Sequence, residues 1–283
     1  MKGKNAMKNK ISGKIVALLL TLIIVATSGM PIYAKETGDK ANSFRYENGQ
    51  PIAKAVPFST LSPNAWKKID GKYYSGDGSV IEGAVAKGID VSHHQGTVDW
   101  KKAKEDGVEF AIIRCGFGMN QTKQDDAQWF NNVKGCEENN IPYGVYLYSY
   151  ADTVKKAQSE AEHVLRLIKG HTLAYPVYYD IEEKAVLNKL TAEQLGKIAA
   201  TFVNKVKAEG YQTGIYSNKS NFETFLTDSQ FSQWNKWVAQ YNSAACTYKG
   251  TYQIWQAADT GTIDGVNGAV DINLSLIHIS EPT

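Results

Sequence analysis

From Lys87 onward, short apolar runs alternate with stretches in which apolar residues recur every three or four positions. The short runs predict strands at 88–91, 110–114, 143–148, 177–180, 213–216, 237–240, 253–256 and 270–272. The longer periodic stretches predict helices at 99–105, 126–139, 153–168 and 191–209. Asp99 can cap the first of these, and the last opens on Thr191-Ala192-Glu193 and stops before Gly210. Short strands alternating with helices predict an α/β fold, with a parallel sheet closed into a (β/α) barrel. The segment is shorter than the ~250 residues usual for such barrels, so the later helices are expected to shrink to loops.

Ahead of Lys87 the pattern differs. Lys2, Lys4, Lys8, Lys10 and Lys14 precede an apolar run over 15–26. That run falls short of the roughly 20 residues a membrane-spanning helix needs. Thr27, Ser28, Gly29 and Pro31 break it, and Ala34 offers a small residue before a polar stretch. This is the layout of a secretory signal peptide over 1–34; the alternative is an uncleaved anchor. Either places the rest of the chain outside the cytoplasm.

Residues 35–84 are expected to form a linker and a small β-hairpin, with two aromatic or β-branched runs around Gly76-Asp77-Gly78. The hairpin resembles one unit of the aromatic, glycine-rich repeats of cell-wall-binding modules. Such units work in series, so a single copy reads better as a lead-in packed on the barrel.

Charge and cysteine content narrow the functional classes. The whole chain carries +2, but without the lysines of the leader 26 basic residues face 29 acidic ones, a net charge of −3. That balance, with no basic run, gives no case for nucleic acid, and no membrane contact is expected beyond the leader. Cys115, Cys136 and Cys246 are too few for a disulfide scaffold and allow at most one bridge. A monomer is expected.

Barrel enzymes place their chemistry at the C-terminal ends of the strands. Asp90 ends the first predicted strand, Asp180 and Glu182 end the fourth, and Asp271 lies in the last. First and last strands of a barrel are neighbours, so Asp90 and Asp271 should come close. Asp180 and Glu182 are two apart on an extended segment and should point the same way. Crowded carboxylates resist ionising together, which leaves one protonated acid beside one carboxylate, the pair that glycoside cleavage uses. A divalent-metal site is the alternative. However, His93 and His94 are adjacent and cannot both ligate easily from one strand, so they read as rim residues. Neither a metal nor an organic cofactor is expected. Tyr146, Tyr148, Tyr178, Tyr216, Trp237, Tyr241 and Trp255 lie near the same ends, where aromatic faces could grip sugar rings. Of these, Tyr148 and Trp255 are expected nearest the ligand.

These residues carry a resemblance. The stretches Gly88-Ile89-Asp90-Val91-Ser92 with Gln95-Gly96 and Asp99-Trp100, Tyr143-Gly144-Val145-Tyr146, and Tyr179-Asp180-Ile181-Glu182 occur in that order. They are followed by Gly214-Ile215-Tyr216-Ser217-Asn218, Trp237-Val238-Ala239-Gln240-Tyr241, Ile254-Trp255-Gln256 and Val270-Asp271-Ile272-Asn273. The ordered set resembles the glycoside hydrolase family 25 lysozymes, over about residues 87–273.

The resemblance implies a small irregular (β/α) barrel and hydrolysis of the β-1,4 bond between N-acetylmuramic acid and N-acetylglucosamine in peptidoglycan. It implies Glu182 as general acid and Asp180 as its partner, either stabilising an oxazolinium formed by the substrate acetamido group or positioning water. Asp90 and Asp271 would hold the network, and Tyr148 and Trp255 would shape the subsite for the acetamido sugar. Gln95, Tyr146, Tyr216 and Tyr241 complete the expected substrate-binding set.

The catalytic barrel is thus expected over 85–273. The final stretch 274–283 resembles translated sequencing-adapter read-through and is expected to be non-native. Three other readings compete. Chitinase-like barrels share Asp-x-Glu, but their longer motif wants acids where this chain has Tyr175 and Tyr178. A wall-binding protein without turnover would not need all four carboxylates. A metal-dependent polysaccharide hydrolase is the third.

Overall fold

The computed structural model describes residues 61–241 and 243–277, together with a short backbone pairing of Tyr46–Glu47 with Gln50–Pro51. The expected signal peptide, most of the linker and residues 278–283 lie outside the described residues.

Eight strands close a barrel: β1 (Ala86–Val91), β2 (Phe110–Phe117), β3 (Tyr143–Tyr148), β4 (Val177–Asp180), β5 (Thr213–Asn218), β6 (Asn235–Ala239), β7 (Ile254–Gly261) and β8 (Val270–Ser275). They run in chain order around the ring, and β8 pairs with both β7 and β1.

The strand pattern accounts for two separate apolar cores. Successive side chains point to opposite faces of a strand. Phe110, Ile112, Tyr146, Tyr178, Tyr216, Trp237 and Ile254 fill the barrel interior. Ile113, Val145, Leu147, Tyr179 and Val238 face outward under the helices. Tyr179 there stacks on Phe202, with ring centroids 4.0 Å apart. The interior is tightly filled: a Cβ at Gly214 would lie 2.6 Å from the Tyr178 ring, so glycine makes room for that tyrosine.

The helices are α1 (Trp100–Glu105), α2 (Trp129–Glu138), α3 (Val154–Ile168), α4 (Lys184–Leu187), α5 (Ala192–Ala208) and α6 (Lys219–Thr224). Asp99 and Thr153 cap α1 and α3 through their side-chain oxygens, and Thr191 with Gln194 forms a capping box on α5. Helix α2 starts at Trp129, later than expected from Asp126: Asp126 instead forms a turn ahead of it, its Oδ1 accepting from the Gln128 amide at 2.9 Å while its Oδ2 accepts from Arg114 at 2.7 Å. No α-helix is described between β6 and β7 or between β7 and β8, so the later helices are indeed reduced.

One topological expectation is corrected. The sheet is not wholly parallel, because β8 runs antiparallel to both neighbours. The connection from β7 occupies only 262–269. A parallel crossover needs a dozen or more residues, so the chain turns straight back.

The lead-in segment also differs from expectation. Its tight turn is at Asp70–Gly71, between Lys68–Ile69 and Lys72–Tyr73, with φ of +50° and +76°. Positive φ at both central residues suits a two-residue hairpin loop. The expected turn at 76–78 exists as a second one, closed by the Tyr74–Val80 bridge. Trp66, Tyr73 and Ile81 are buried in the outer core. The Tyr73 hydroxyl donates to the Glu109 carboxylate, which also accepts from the Lys87 amide at 2.9 Å and from Lys68 at 3.1 Å.

All three cysteines are free thiols. Leu274 and Ser275, the first residues of the expected non-native tail, pair with Lys87 and Ala86 and are buried. Among the described residues, no helix is long and apolar enough to cross a membrane.

Candidate active site

Strands β1 to β6 bring their C-terminal ends to one mouth. Asp90 lies near the end of β1, and Asp271 is its direct partner in register on β8. Asp271 lies near the start of β8 and reaches the mouth because that strand runs backwards. A single amide joins the two. Gln256 Nε2 donates to Asp90 Oδ2 at 2.7 Å and to Asp271 Oδ2 at 3.0 Å. Its Oε1 accepts from the Tyr216 hydroxyl at 2.7 Å and the Tyr241 hydroxyl at 2.5 Å. Asn273 Nδ2 adds a bond to Asp90 at 2.8 Å, and its oxygen accepts from the Trp237 indole at 2.8 Å. Gln256 and Asn273 are completely buried, where each polar atom must find a partner.

The other wall of the mouth is β3 and β4. Asp180 and Glu182 are each 1% exposed. Backbone pairing carries past the end of β4: the Ile181 amide donates to the Tyr216 carbonyl at 3.0 Å, and Ser217 Oγ donates to the Ile181 carbonyl at 2.7 Å. The segment bearing Glu182 is thereby tied to β5. The Tyr148 hydroxyl donates to Glu183 at 3.3 Å.

Electrostatics links the two walls. Burial pushes the Tyr148 phenol well above its ordinary range, and Glu182, Glu183 and Asp180 push it further. Burial also raises Tyr146, which feels both Asp90 and Asp180, while Arg114 opposes them. Phenols held neutral in this way act as hydrogen-bond donors among carboxylates.

A polar cluster braces the rim. Arg114 and Asp126 form an ion pair at 2.7 Å with both side chains fully buried. Arg114 also contacts His93 Nδ1, and the His93 amide donates to Asp126 at 3.0 Å. Among the described residues, no group of three or more His, Cys, Asp or Glu is placed to hold a metal ion. A groove of about 650 Å³ opens between Lys184, Asn218, Lys219, Gln240 and Tyr241, the tyrosine that donates to Gln256.

The family model for Glycosyl hydrolases family 25 matches residues 89–266. The chain belongs to glycosyl hydrolase family 25. It is similar to the Escherichia coli protein YegX, with 31% identity over 194 residues, covering 66% of this chain and 68% of YegX. It is similar to an autolytic lysozyme of Clostridium acetobutylicum at 27% identity, covering 66% of this chain and 55% of that protein. The autolysin LytC of Streptococcus pneumoniae, whose structure includes a synthetic peptidoglycan ligand, matches with a TM-score of 0.67 at 27% identity, over 83% of this chain and 61% of LytC. The chain thus spans less than two thirds of these two lytic relatives.

Within this family 25 barrel the expected site residues divide. Asp90 and Asp271 share one amide, and Tyr146 and Tyr148 stand in the fields of Asp90, Asp180 and Glu182. Tyr216 and Tyr241 meet at Gln256. Gln95 uses its amide to brace a turn: it accepts from the Ser92 amide at 2.9 Å and donates to the Ala269 carbonyl at 3.5 Å.

Trp255 departs from expectation. It lies in the outer core, where its ring meets Trp66 edge-on with centroids 6.5 Å apart. On β7 the interior positions belong to its neighbours Ile254 and Gln256. Trp255→Phe is therefore expected to lower stability by roughly 1 kcal/mol and leave KM for glycan within about twofold. Thermal melts beside steady-state kinetics check this, and a large KM rise with an unchanged melt would return Trp255 to the ligand.

Gln256, Asn273, Glu183, Arg114 and Asp126 were not among the expected site residues. For Gln256 a signal existed: it is a polar residue inside an otherwise apolar strand run, the kind of buried polar group that carries information.

Proposed function

We propose that the chain is a peptidoglycan hydrolase of the lysozyme type, a 1,4-β-N-acetylmuramidase cleaving between N-acetylmuramic acid and N-acetylglucosamine. The observation that supports it best is the joining of four carboxylates around neutral phenols at one barrel mouth. Asp90 and Asp271 are held by Gln256, while Asp180 and Glu182 stand beside Tyr146 and Tyr148. The lytic relatives point the same way.

In this reading Glu182 is the general acid. Its nearly complete burial keeps the carboxyl protonated until the leaving sugar oxygen arrives. Asp180, two positions away along the same extended segment, answers the positive charge that develops at the anomeric centre. Asp90 and Asp271 lend their negative charge to the mouth and help hold the proton on Glu182. The groove beside Tyr241 receives the glycan. The leader fits an enzyme that works as a monomer outside the cytoplasm on cell-wall glycan.

The test is a digest of purified peptidoglycan with the whole chain, followed by borohydride reduction and mass spectrometry. Reduced muramic acid ends are expected. Reduced glucosamine ends would make it a glucosaminidase, and an intact wall carrying bound protein would make it a binding module.

A further inference from the structure

Helix α3 carries a carboxylate that the reaction does not touch. Glu160 is fully buried behind the barrel wall. Its Oε2 accepts from Ser149 Oγ at 2.8 Å and from the Tyr179 hydroxyl at 2.5 Å, and its Oε1 accepts from the Tyr150 amide at 2.9 Å. Ser149 and Tyr179 are themselves 2.9 Å apart, so two hydroxyls and one carboxylate oxygen form a triangle.

Every one of these partners adjoins a residue of the mouth. Ser149 and Tyr150 follow Tyr148, and Tyr179 precedes Asp180. The Ser149 amide donates to the Asp180 carbonyl at 2.9 Å. The Tyr148 and Tyr150 rings lie 5.1 Å apart. Burying a carboxyl costs several kcal/mol unless it is well satisfied, and an apolar side chain on α3 would fill this space at no such cost. What the carboxyl supplies, and an apolar group cannot, is one fixed conformation for the chain leaving β3, locked to the back of β4.

We infer that Glu160 is a positioning residue for the active site, acting through Ser149 to set Tyr148 and Asp180 against each other. This rests on the muramidase reading of the site. The groups around Glu160 are Tyr179 from β4, the Ser149 hydroxyl and Tyr150 from the chain after β3, the Phe202 ring stacked on Tyr179 from α5, and Lys156 from α3 itself, which Asp152 holds at 2.7 Å. Burial raises the Glu160 carboxyl to about 7, against the pull of Tyr179, the Tyr150 amide, Ser149 and Lys156. Ionised, it accepts from all three donors. Glutamine has the same shape but only one accepting oxygen, so one side of the arrangement loses its acceptor. When the pH falls, wild-type Glu160 itself takes a proton into the triangle, and wild type and variant converge.

The experiment measures release of reduced muramic acid ends by the whole chain, by Glu160→Gln, by Ser149→Ala and by the double variant. For Glu160→Gln, kcat is expected to fall roughly tenfold near pH 8 but only about two- to threefold near pH 5.5, with KM within about twofold. Ser149→Ala should lower kcat in the same way, and the double variant should be no worse than the weaker single one, because both break the same link. An equal kcat ratio at both pH values, a loss carried by KM, or additive losses would each overturn the inference. If Glu160→Gln does not fold, Ser149→Ala alone decides it: an unchanged kcat sinks the inference. A wild type that releases no muramic acid ends would be a failure of the muramidase reading instead.

Discussion

Glu182→Gln is expected to lower kcat on peptidoglycan by about 10³-fold, within the 10²–10⁴ range that a positioned general acid supplies. Glutamine keeps the shape of the buried side chain and its acceptor oxygen but has no acidic proton to give. The departing sugar oxygen must then leave as an alkoxide or wait for water. Binding should survive, so KM changes little and the variant still sediments with the wall. Asp180→Asn should cost a comparable factor. The double variant should lose far less than the product of the two, because residues that act on one transition state fail together. Release of reduced muramic acid ends, read beside thermal melts of each variant, is the check. A Glu182→Gln enzyme within tenfold of wild type, with an intact melt, would remove Glu182 from the acid role.

Arg114→Leu is expected to cost about 3–5 kcal/mol of stability, the usual cost of stranding one half of a buried ion pair. For a domain of this size that is a fall in Tm of roughly 8–15 °C. Asp126 would be left fully buried with its main countercharge gone. The loss should depend on pH. In the wild type, burial pushes the Asp126 carboxyl up, but the Arg114 guanidinium and the His93 contacts outweigh it and hold the group well below the usual carboxylate range. A depressed folded pKa contributes stability that is present above the unfolded value, near ~3.9, and is lost as the pH falls through the folded one. The variant lacks that contribution. The stability gap between the two proteins should therefore be full at neutral pH and narrow as the pH falls toward and below about 4. Urea unfolding at two pH values measures it, and a gap that does not change with pH would mean that Arg114 stabilises by packing alone.

The barrel was legible because each strand is short, apolar and bounded by turn residues. The spacing of Asp90, Asp180, Glu182 and Asp271 along those strands made the mouth legible too. Three features escaped. The direction of β8 depends on the length of one connection, and an apolar run reads the same in either direction. The turn at Asp70–Gly71 is masked by a richer glycine cluster a few residues later, although Asp-Gly is the stronger hairpin signal. Aromatic chemistry alone points Trp255 to the mouth, whereas alternation along β7 gives the inward place to Gln256. Gln256 shows why a hub is harder to see than an acid: its role consists of four partners from three other strands and the segment after β6, which no local pattern contains.

The backward-running β8 has a consequence for how the molecule comes into being. It is the last strand to be synthesised, yet it fills the gap between the first strand and the seventh. Until it arrives, both β1 and β7 present open edges, the kind of surface on which nascent chains pair with one another. The same strand delivers Asp271, the partner of Asp90 in register, and Asn273, whose amide donates to Asp90. Closing the ring and completing the acid set are therefore a single event, and a partly made chain is exposed to aggregation while it is still chemically silent.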